Sequence, residues 1–191
     1  ALPARRNIRQ LLVTRAGEVY ALTNDGLLQW RGGNQWQEHL RGQNLVSVLE
    51  DSAGQLWLGT VGEGLLRWRA GQVEKLPIKP GALDNIVYAL AQDAAGQLWA
   101  GTHGGLYQFT GGRLVRFTNE ADLPNPFVIA LAPDREGNLW IGTDGGGLVC
   151  ARAHGARVGA RPHQQAEPRD DHGLAGTGLA GDRGEARPDG K

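Results

Sequence analysis

The sequence has almost none of the chemistry on which disulfide scaffolds and nucleophilic enzymes depend. Of 191 residues one is cysteine (Cys150), none is methionine and two are serine (Ser47, Ser52). A single thiol excludes an internal disulfide framework and a multi-cysteine metal knuckle. Net charge is absent too, 20 Lys and Arg against 20 Asp and Glu. That balance argues against nucleic acid as a partner, because phosphate-tracking surfaces need a basic patch. No run of 18 apolar residues occurs, so no segment reads as a helical membrane span. The chain begins with Ala and shows no charged-then-apolar leader of the secretory type. These features are expected of a piece of something longer.

Aromatic residues are few and confined. All 12 fall within residues 1–150, whereas 151–191 hold eight Ala, eight Gly and six Arg with three large aliphatics, Val158, Leu174 and Leu179. So little apolar surface cannot offset roughly 1–2 kcal/mol per residue of backbone ordering. The composition therefore predicts a folded region over 1–150 and a low-complexity, disordered tail over 151–191.

What the sequence does have is glycine, 30 of them, placed with a period. Ala53-Gly54-Gln55-Leu56-Trp57-Leu58-Gly59-Thr60 returns around Trp99 and again around Trp140, 42 and then 41 residues on. A degenerate first copy carries Tyr20 in the Trp position, 37 residues before Trp57, and Thr14 where the later copies have Asp51, Asp93 and Asp134. Each copy follows an apolar run opened by Asn: Asn7, Asn44, Asn85 and Asn125. Within one period, 85–92 reads as a strand, Asp93 to Gly96 as a type I turn, and 97–102 as a second strand. A third strand is expected over 106–109 and a fourth over 113–118. Four short strands every ~40–45 residues are the signature of a β-propeller blade. The fold class is thus all-β, with about four four-stranded antiparallel sheets in an incomplete or minimal ring. The expected copies span 7–43, 44–84, 85–124 and 125–150.

The Asp-x-x-Gly-x-Leu-Trp-x-Gly-Thr-x-x-Gly-Gly-Leu pattern, best seen over 134–148 and 93–106, resembles the two-component regulator propeller repeat of bacteria. The resemblance runs from residue 7 to about 149. It implies an extracytoplasmic, periplasmic ligand-sensing domain of an inner-membrane histidine kinase or diguanylate cyclase. The implied partners are a small ligand such as a carbohydrate, further blades, and transmitter domains of a parent receptor. Two alternatives belong to other classes. One is an enzyme similar to streptogramin lyases, which need a His and Glu constellation with a divalent metal; the other is a protein-interaction scaffold.

The tail has its own alternative. Its Ala, Gly, Arg and Pro bias is what GC-rich coding DNA yields when read out of frame. Shifting residues 170–177 by one base permits Thr-Ile-Thr-Ala-Leu-Leu-Glu, similar to the blade-opening 45–50. A natural low-complexity linker is the competing account.

The remaining motifs favour structure over chemistry. Asp51, Asp93 and Asp134 each precede a Gly by three residues, which reads as a turn cap rather than a metal ligand. Trp57, Trp99 and Trp140 read as packing between neighbouring sheets rather than a sugar-stacking set. Gly59, Gly101 and Gly142, each before a Thr, suggest crowded strands. The G-x-G-x-x-G match at 176–181 lacks the strand and helix that a dinucleotide loop needs. No catalytic, cofactor-binding or metal-binding residue is expected. The candidate ligand contacts are the blade tips, Asn24, Val61, His103 and Asp144. In the lyase-like alternative, His103 is the candidate base and Asp144 the alternative carboxylate.

Overall fold

The computed structural model describes residues 7–69, 71–78, 85–117 and 123–152. Most of the expected tail, including the 176–181 motif and the frame-shifted segment, lies outside the described residues.

Among the described residues the secondary structure is entirely strand and turn. The first sheet comprises β1 (Ile8–Val13), β2 (Val19–Thr23), β3 (Gly26–Trp30) and β4 (Trp36–His39). The second comprises β5 (Leu45–Glu50), β6 (Leu56–Thr60), β7 (Leu65–Arg69) and β8 (Gln72–Leu76). The third contains β9 (Val87–Gln92), β10 (Leu98–Thr102), β11 (Gly105–Thr110) and β12 (Arg113–Arg116). The fourth shows β13 (Val128–Pro133), β14 (Asn138–Thr143) and β15 (Gly147–Arg152). Every sheet is an antiparallel meander in chain order, and the fourth has three strands among the described residues. Strand β15 runs to Arg152, two residues past the expected end of the folded region, with Ala151 buried.

Strand starts differ from expectation for a reason visible at Asn85. Its side-chain oxygen accepts from Ile78 N at 2.9 Å, and its carbonyl accepts from Gly62 and Gly64 at 3.0 Å. Asn85 therefore fastens the tip of the second sheet instead of opening a ladder, and β9 begins at Val87. Asn125 acts alike. Its Oδ1 accepts from Phe127 N, and its Nδ2 donates to the carbonyl of Asp144.

The second, third and fourth repeats are each organised by one carboxylate. Asp93 Oδ1 accepts from Ala95 N and Gln97 N, at 3.0 and 2.9 Å, which fixes the turn between β9 and β10. Gly96 completes that turn at φ +80°, a conformation that favours glycine. Oδ2 of the same carboxylate accepts from Trp99 Nε1 at 2.9 Å. Asp51 does the same for Gln55 and Trp57, and Asp134 for Asn138 and Trp140. Turn capping is what the sequence implied. The indole bond is an addition, and it satisfies a buried donor that would otherwise be costly.

The sheets stack in sequence. The first strands β1, β5, β9 and β13 lie side by side, and the second strand of each sheet meets the first strand of the next. Trp57 packs on Phe109 of the third sheet, ring centroids 4.9 Å apart at 62°, in a cluster with Leu90 and Leu98. Trp99 meets Phe117 edge-on at 4.8 Å and joins Val128, Leu139 and Ile141 of the fourth sheet. These tryptophans are 3% and 1% exposed, whereas Trp140, on the last described sheet, is only half-buried.

The glycines before threonine permit this stacking. A Cβ on Gly59 would stand 2.3 Å from the Val87 carbonyl, and one on Gly101 would stand 2.5 Å from Val128 Cγ1. The crowding at Gly101 is between sheets, and at Gly59 Ser47 Oγ of the same sheet adds to it at 2.2 Å. Each threonine then bonds its own hairpin, as Thr102 Oγ1 does to the Gly105 carbonyl at 3.0 Å.

Replacing Trp99 by Ala should cost about 4 kcal/mol, since it removes a fully buried aromatic and strands the Asp93 carboxylate. Trp140→Ala should cost roughly half as much, because its ring lacks equivalent cover. Urea midpoints with unchanged m-values check both; equal costs would contradict packing between sheets.

Candidate functional site

Three interfaces join the four sheets, and the first differs chemically from the others. At the level where Trp57 and Trp99 stand, the first sheet has Tyr20. Opposite Leu27 on β4 stands His39, at the position of Leu76 (opposite Leu65) and Phe117 (bonded to Leu106). Beside Tyr20 on β3 is Gln29, at the position of Arg67, whose guanidinium covers the Trp57 ring at 5.6 Å. At two of these positions, Tyr20 for tryptophan and His39 for Leu76 and Phe117, a smaller or more polar side chain thus replaces the bulk found elsewhere, while Gln29 recurs as Gln108 beside Trp99. The result is a cleft of about 520 Å³ between the first and second sheets, within the volume range of small-molecule sites.

Its polar groups form one chain. Tyr20 Oη donates to Glu18 Oε2 at 3.2 Å, and Gln29 Nε2 donates to Glu18 Oε1 at 2.9 Å. Gln29 Oε1 accepts from His39 Nε2 at 3.0 Å. This assigns the His39 proton to Nε2 and leaves Nδ1 as acceptor in the neutral ring. Trp68, from the second sheet, closes the apolar side. It lies 5.1 Å from the His39 ring and meets Tyr20 edge-on at 5.6 Å. Arg31, Glu50 and Arg69 stand at the mouth, while Ala16, Gly54 and Gly71 leave it open. Burial, with help from Glu18, pushes the Tyr20 phenol up to about 12. Burial also holds the His39 pKa below the usual histidine value, with the Arg31 charge acting in the same direction.

The degenerate first copy explains the cleft. Thr14 Oγ1 accepts from Glu18 N at 3.0 Å, the turn bond that aspartate makes elsewhere. A threonine has no second acceptor for an indole, and Tyr20 turns instead to Glu18. Sequence reasoning singled out the Thr14 and Tyr20 departures but did not join them to Gln29 and His39. The two threads that would have done so are the strand register and the loss of apolar character at the Leu76 and Phe117 position.

The expected contact residues lie elsewhere. Asn24, Val61, His103 and Asp144 sit at the hairpins between the second and third strands of their sheets, at the other rim. Asn24 is separated from Tyr20 in the cleft by the length of a strand, about 13 Å, and His103 and Asp144 belong to sheets that do not line it. Asn24 Oδ1 accepts from Asn7 N at 3.3 Å, Val61 bridges to Ile86, and Asp144 N bonds the Phe127 carbonyl at 2.9 Å. His103 stacks on Phe127 with centroids 4.6 Å apart at 29°. Each tip is thus tied into the framework, and the structure does not gather the four into one pocket. Among the described residues no group of three or more His, Cys, Asp or Glu could hold a metal ion. Cys150 pairs with Trp140 across the last sheet and is half-buried.

The two component regulator propeller family matches this sequence three times, over residues 39–62, 81–104 and 122–145. These three segments are two-component regulator propeller repeats. Each matched segment covers the first two strands of a sheet, the second, third and fourth in turn, and nearly all of the degenerate first copy lies outside the match. No curated protein matches the sequence. Among solved structures, the propeller is similar to the extracellular domain of BT4673 from B. thetaiotaomicron, assigned to a hybrid two component system. The likeness has a TM-score of 0.66 at 25% identity, covering 78% of this chain and 22% of that one. The chain thus spans about a fifth of that structure. Virginiamycin B lyase from Staphylococcus aureus shares the fold at TM-score 0.64 and 12% identity, over 82% of this chain and 59% of that one. PorZ of Porphyromonas gingivalis shares it at 0.59 and 13%, over 79% and 26%.

The cleft predicts a pH signature. His39 is neutral when folded, whereas the unfolded chain takes up a proton below its ordinary value of 6.5. Stability is therefore full above that pH, falls as pH drops through it, and levels off below the folded-state value. His39→Leu, which installs the residue found at Leu76, should flatten this response. Thermal melts from about pH 7.5 to 5 check it; parallel profiles for the two proteins would count against the assignment.

Proposed function

We propose that the chain is part of a non-catalytic, ligand-sensing input module of a bacterial signalling receptor, placed on the extracytoplasmic side of the inner membrane. The observation that carries this reading is the cleft between the first two sheets. Of the three interfaces it alone replaces the apolar residue at the Leu76 and Phe117 position by a histidine, His39, linked through Gln29 to Glu18. The propeller repeats and the likeness to BT4673 supply the receptor context. Because the chain spans 22% of that domain, further blades and a transmitter, kinase or cyclase, would belong to the rest of such a receptor.

The ligand that fits is a small polar molecule rich in hydroxyl groups, such as a mono- or oligosaccharide. Carboxylate, amide, imidazole and guanidinium groups of both charge signs ring the opening, and the Trp68 and Tyr20 rings offer an apolar wall. A ligand held by both sheets would bias the receptor only through a different affinity for its two signalling states. We read binding rather than catalysis because both Glu18 oxygens are already engaged. The candidate base of the lyase-like alternative, His103, lies at the other rim against Phe127. The lyase likeness, at 12% identity, concerns the fold.

A thermal-shift screen of saccharides and amino acids tests the proposal. At 100 times its Kd, a ligand adds about 2.7 kcal/mol and should raise Tm by about 5 °C or more. Arg31→Ala should abolish that shift while leaving the ligand-free Tm within about 1 °C, since Arg31 is exposed and its side chain bonds Gln37 at the surface. A shift that survives Arg31→Ala and Glu18→Gln would place the ligand elsewhere.

A further inference from the structure

The cleft between the first two sheets continues outward along the first. Residues opposite one another in an antiparallel pair share a face of the sheet. Tyr20 stands opposite Gln29, and Gln29 opposite Gln37, so the polar row runs across three strands. At the end of the last two strands Arg31 N donates to the Gln35 carbonyl at 2.9 Å. Arg31, Gln35 and Gln37 border a second cavity of about 510 Å³, and Arg31 borders the cleft as well. The guanidinium is held between the two spaces, its Nε donating to Gln37 Oε1 at 2.7 Å. Among the described residues its terminal nitrogens, Gln37 Nε2 and the Gln35 side chain make no hydrogen bond to protein. The opposite wall is apolar. Val73 stands opposite Trp68, on the face that Trp68 turns to Tyr20 and His39, and is 39% exposed.

The interface between the second and third sheets has the same places filled. Glu74, at the position of Gln37, forms an ion pair with Arg67 on the neighbouring strand, and that guanidinium covers the Trp57 ring. Leu114, at the position of Val73, packs against the clusters that hold Leu76 and Ile78. Polar groups satisfied by one another and a covered leucine leave no room for a ligand there. At the first interface both walls stay open to solvent as far as β4, the edge of its sheet among the described residues.

We propose that this outer stretch is a second subsite, so that the site takes a linear oligosaccharide of at least two units. One unit lies in the cleft against Trp68, and the next lies over Arg31, Gln35 and Gln37. The inference rests on reading the cleft as the ligand site. From Tyr20 to Gln37 the polar row crosses two strand spacings, about 10 Å, further than a single pyranose ring reaches. Amide and guanidinium N–H groups offer donors to ring hydroxyls along one wall, while Trp68 and Val73 meet the C–H face of the sugar along the other. Because β4 is the sheet edge, the groove is open at that end and a longer chain runs out into solvent.

The test is fluorine NMR of the full chain carrying 5-fluorotryptophan, with Trp36 and Trp68 assigned by substitution to Phe. The probes are glucose, mannose and galactose with their linear dimers and trimers. A single sugar that binds should shift the Trp68 resonance. Its dimer should also shift Trp36, which borders the second cavity, and should bind about tenfold tighter. Gln35→Ala should cut that gain about fivefold, the equivalent of one lost hydrogen bond, with Trp68 still responding to the single sugar. Dimers that bind no tighter than their units, with Trp36 silent while Trp68 responds, would overturn the second subsite and leave the cleft reading intact. A gain that survives Gln35→Ala with Trp36 unmoved places the second unit elsewhere and overturns it too. A Trp68 resonance indifferent to every sugar would overturn both readings.

Discussion

A single carboxylate in each of the last three repeats couples the two scales of this structure. Asp93 closes a hairpin turn with one oxygen and holds the Trp99 indole with the other, and that indole is the knob by which the third sheet grips the fourth. Local turn chemistry and packing between sheets are therefore one event. A four-stranded sheet has two faces to cover and little core of its own, so nearest-neighbour contact supplies most of its stability. The array exists because the residue that bends the chain also orients the residue that joins the sheets.

Where that coupling is broken, something else becomes possible. The first repeat keeps the turn, through Thr14, but has no second oxygen for an indole. With Tyr20 in the knob position, the neighbouring layer is free to carry Glu18, Gln29 and His39. The second and third interfaces show what the alternative looks like, with Trp57 against Phe109 and Trp99 against Phe117. Relaxed packing and the candidate binding cleft are the same feature described from two sides.

The blade organisation was legible because strand, turn and strand recur with the same residues: Asp and Gly at the bends, Leu-Trp at the core, Gly-Thr at the tip. That periodicity also marks which copy departs from the pattern. The site was less legible. Glu18, Gln29 and His39 lie on three different strands, and only the register of those strands shows that they converge. The blade tips were attractive as loop positions, yet Asn85 and Asn125 already fasten two of them to the connections between sheets. A polar residue opening an apolar run carries no sign of which backbone it will serve. The glycines gave half of their meaning, since sequence shows a missing side chain but not the valine that occupies its place.

The placement of the joints has an evolutionary corollary. The matched segments, 39–62, 81–104 and 122–145, each cover the first two strands of a sheet and enter the hairpin beyond them, so the conserved part of each module is the part that carries both sides of a joint. Copying or losing one such unit leaves every surviving seam with the same knob and hollow on its two sides. Circumference can therefore drift by whole modules in a lineage while the geometry of each joint stays constant, and a polar seam inherited from one altered module keeps its chemistry wherever the ring places it.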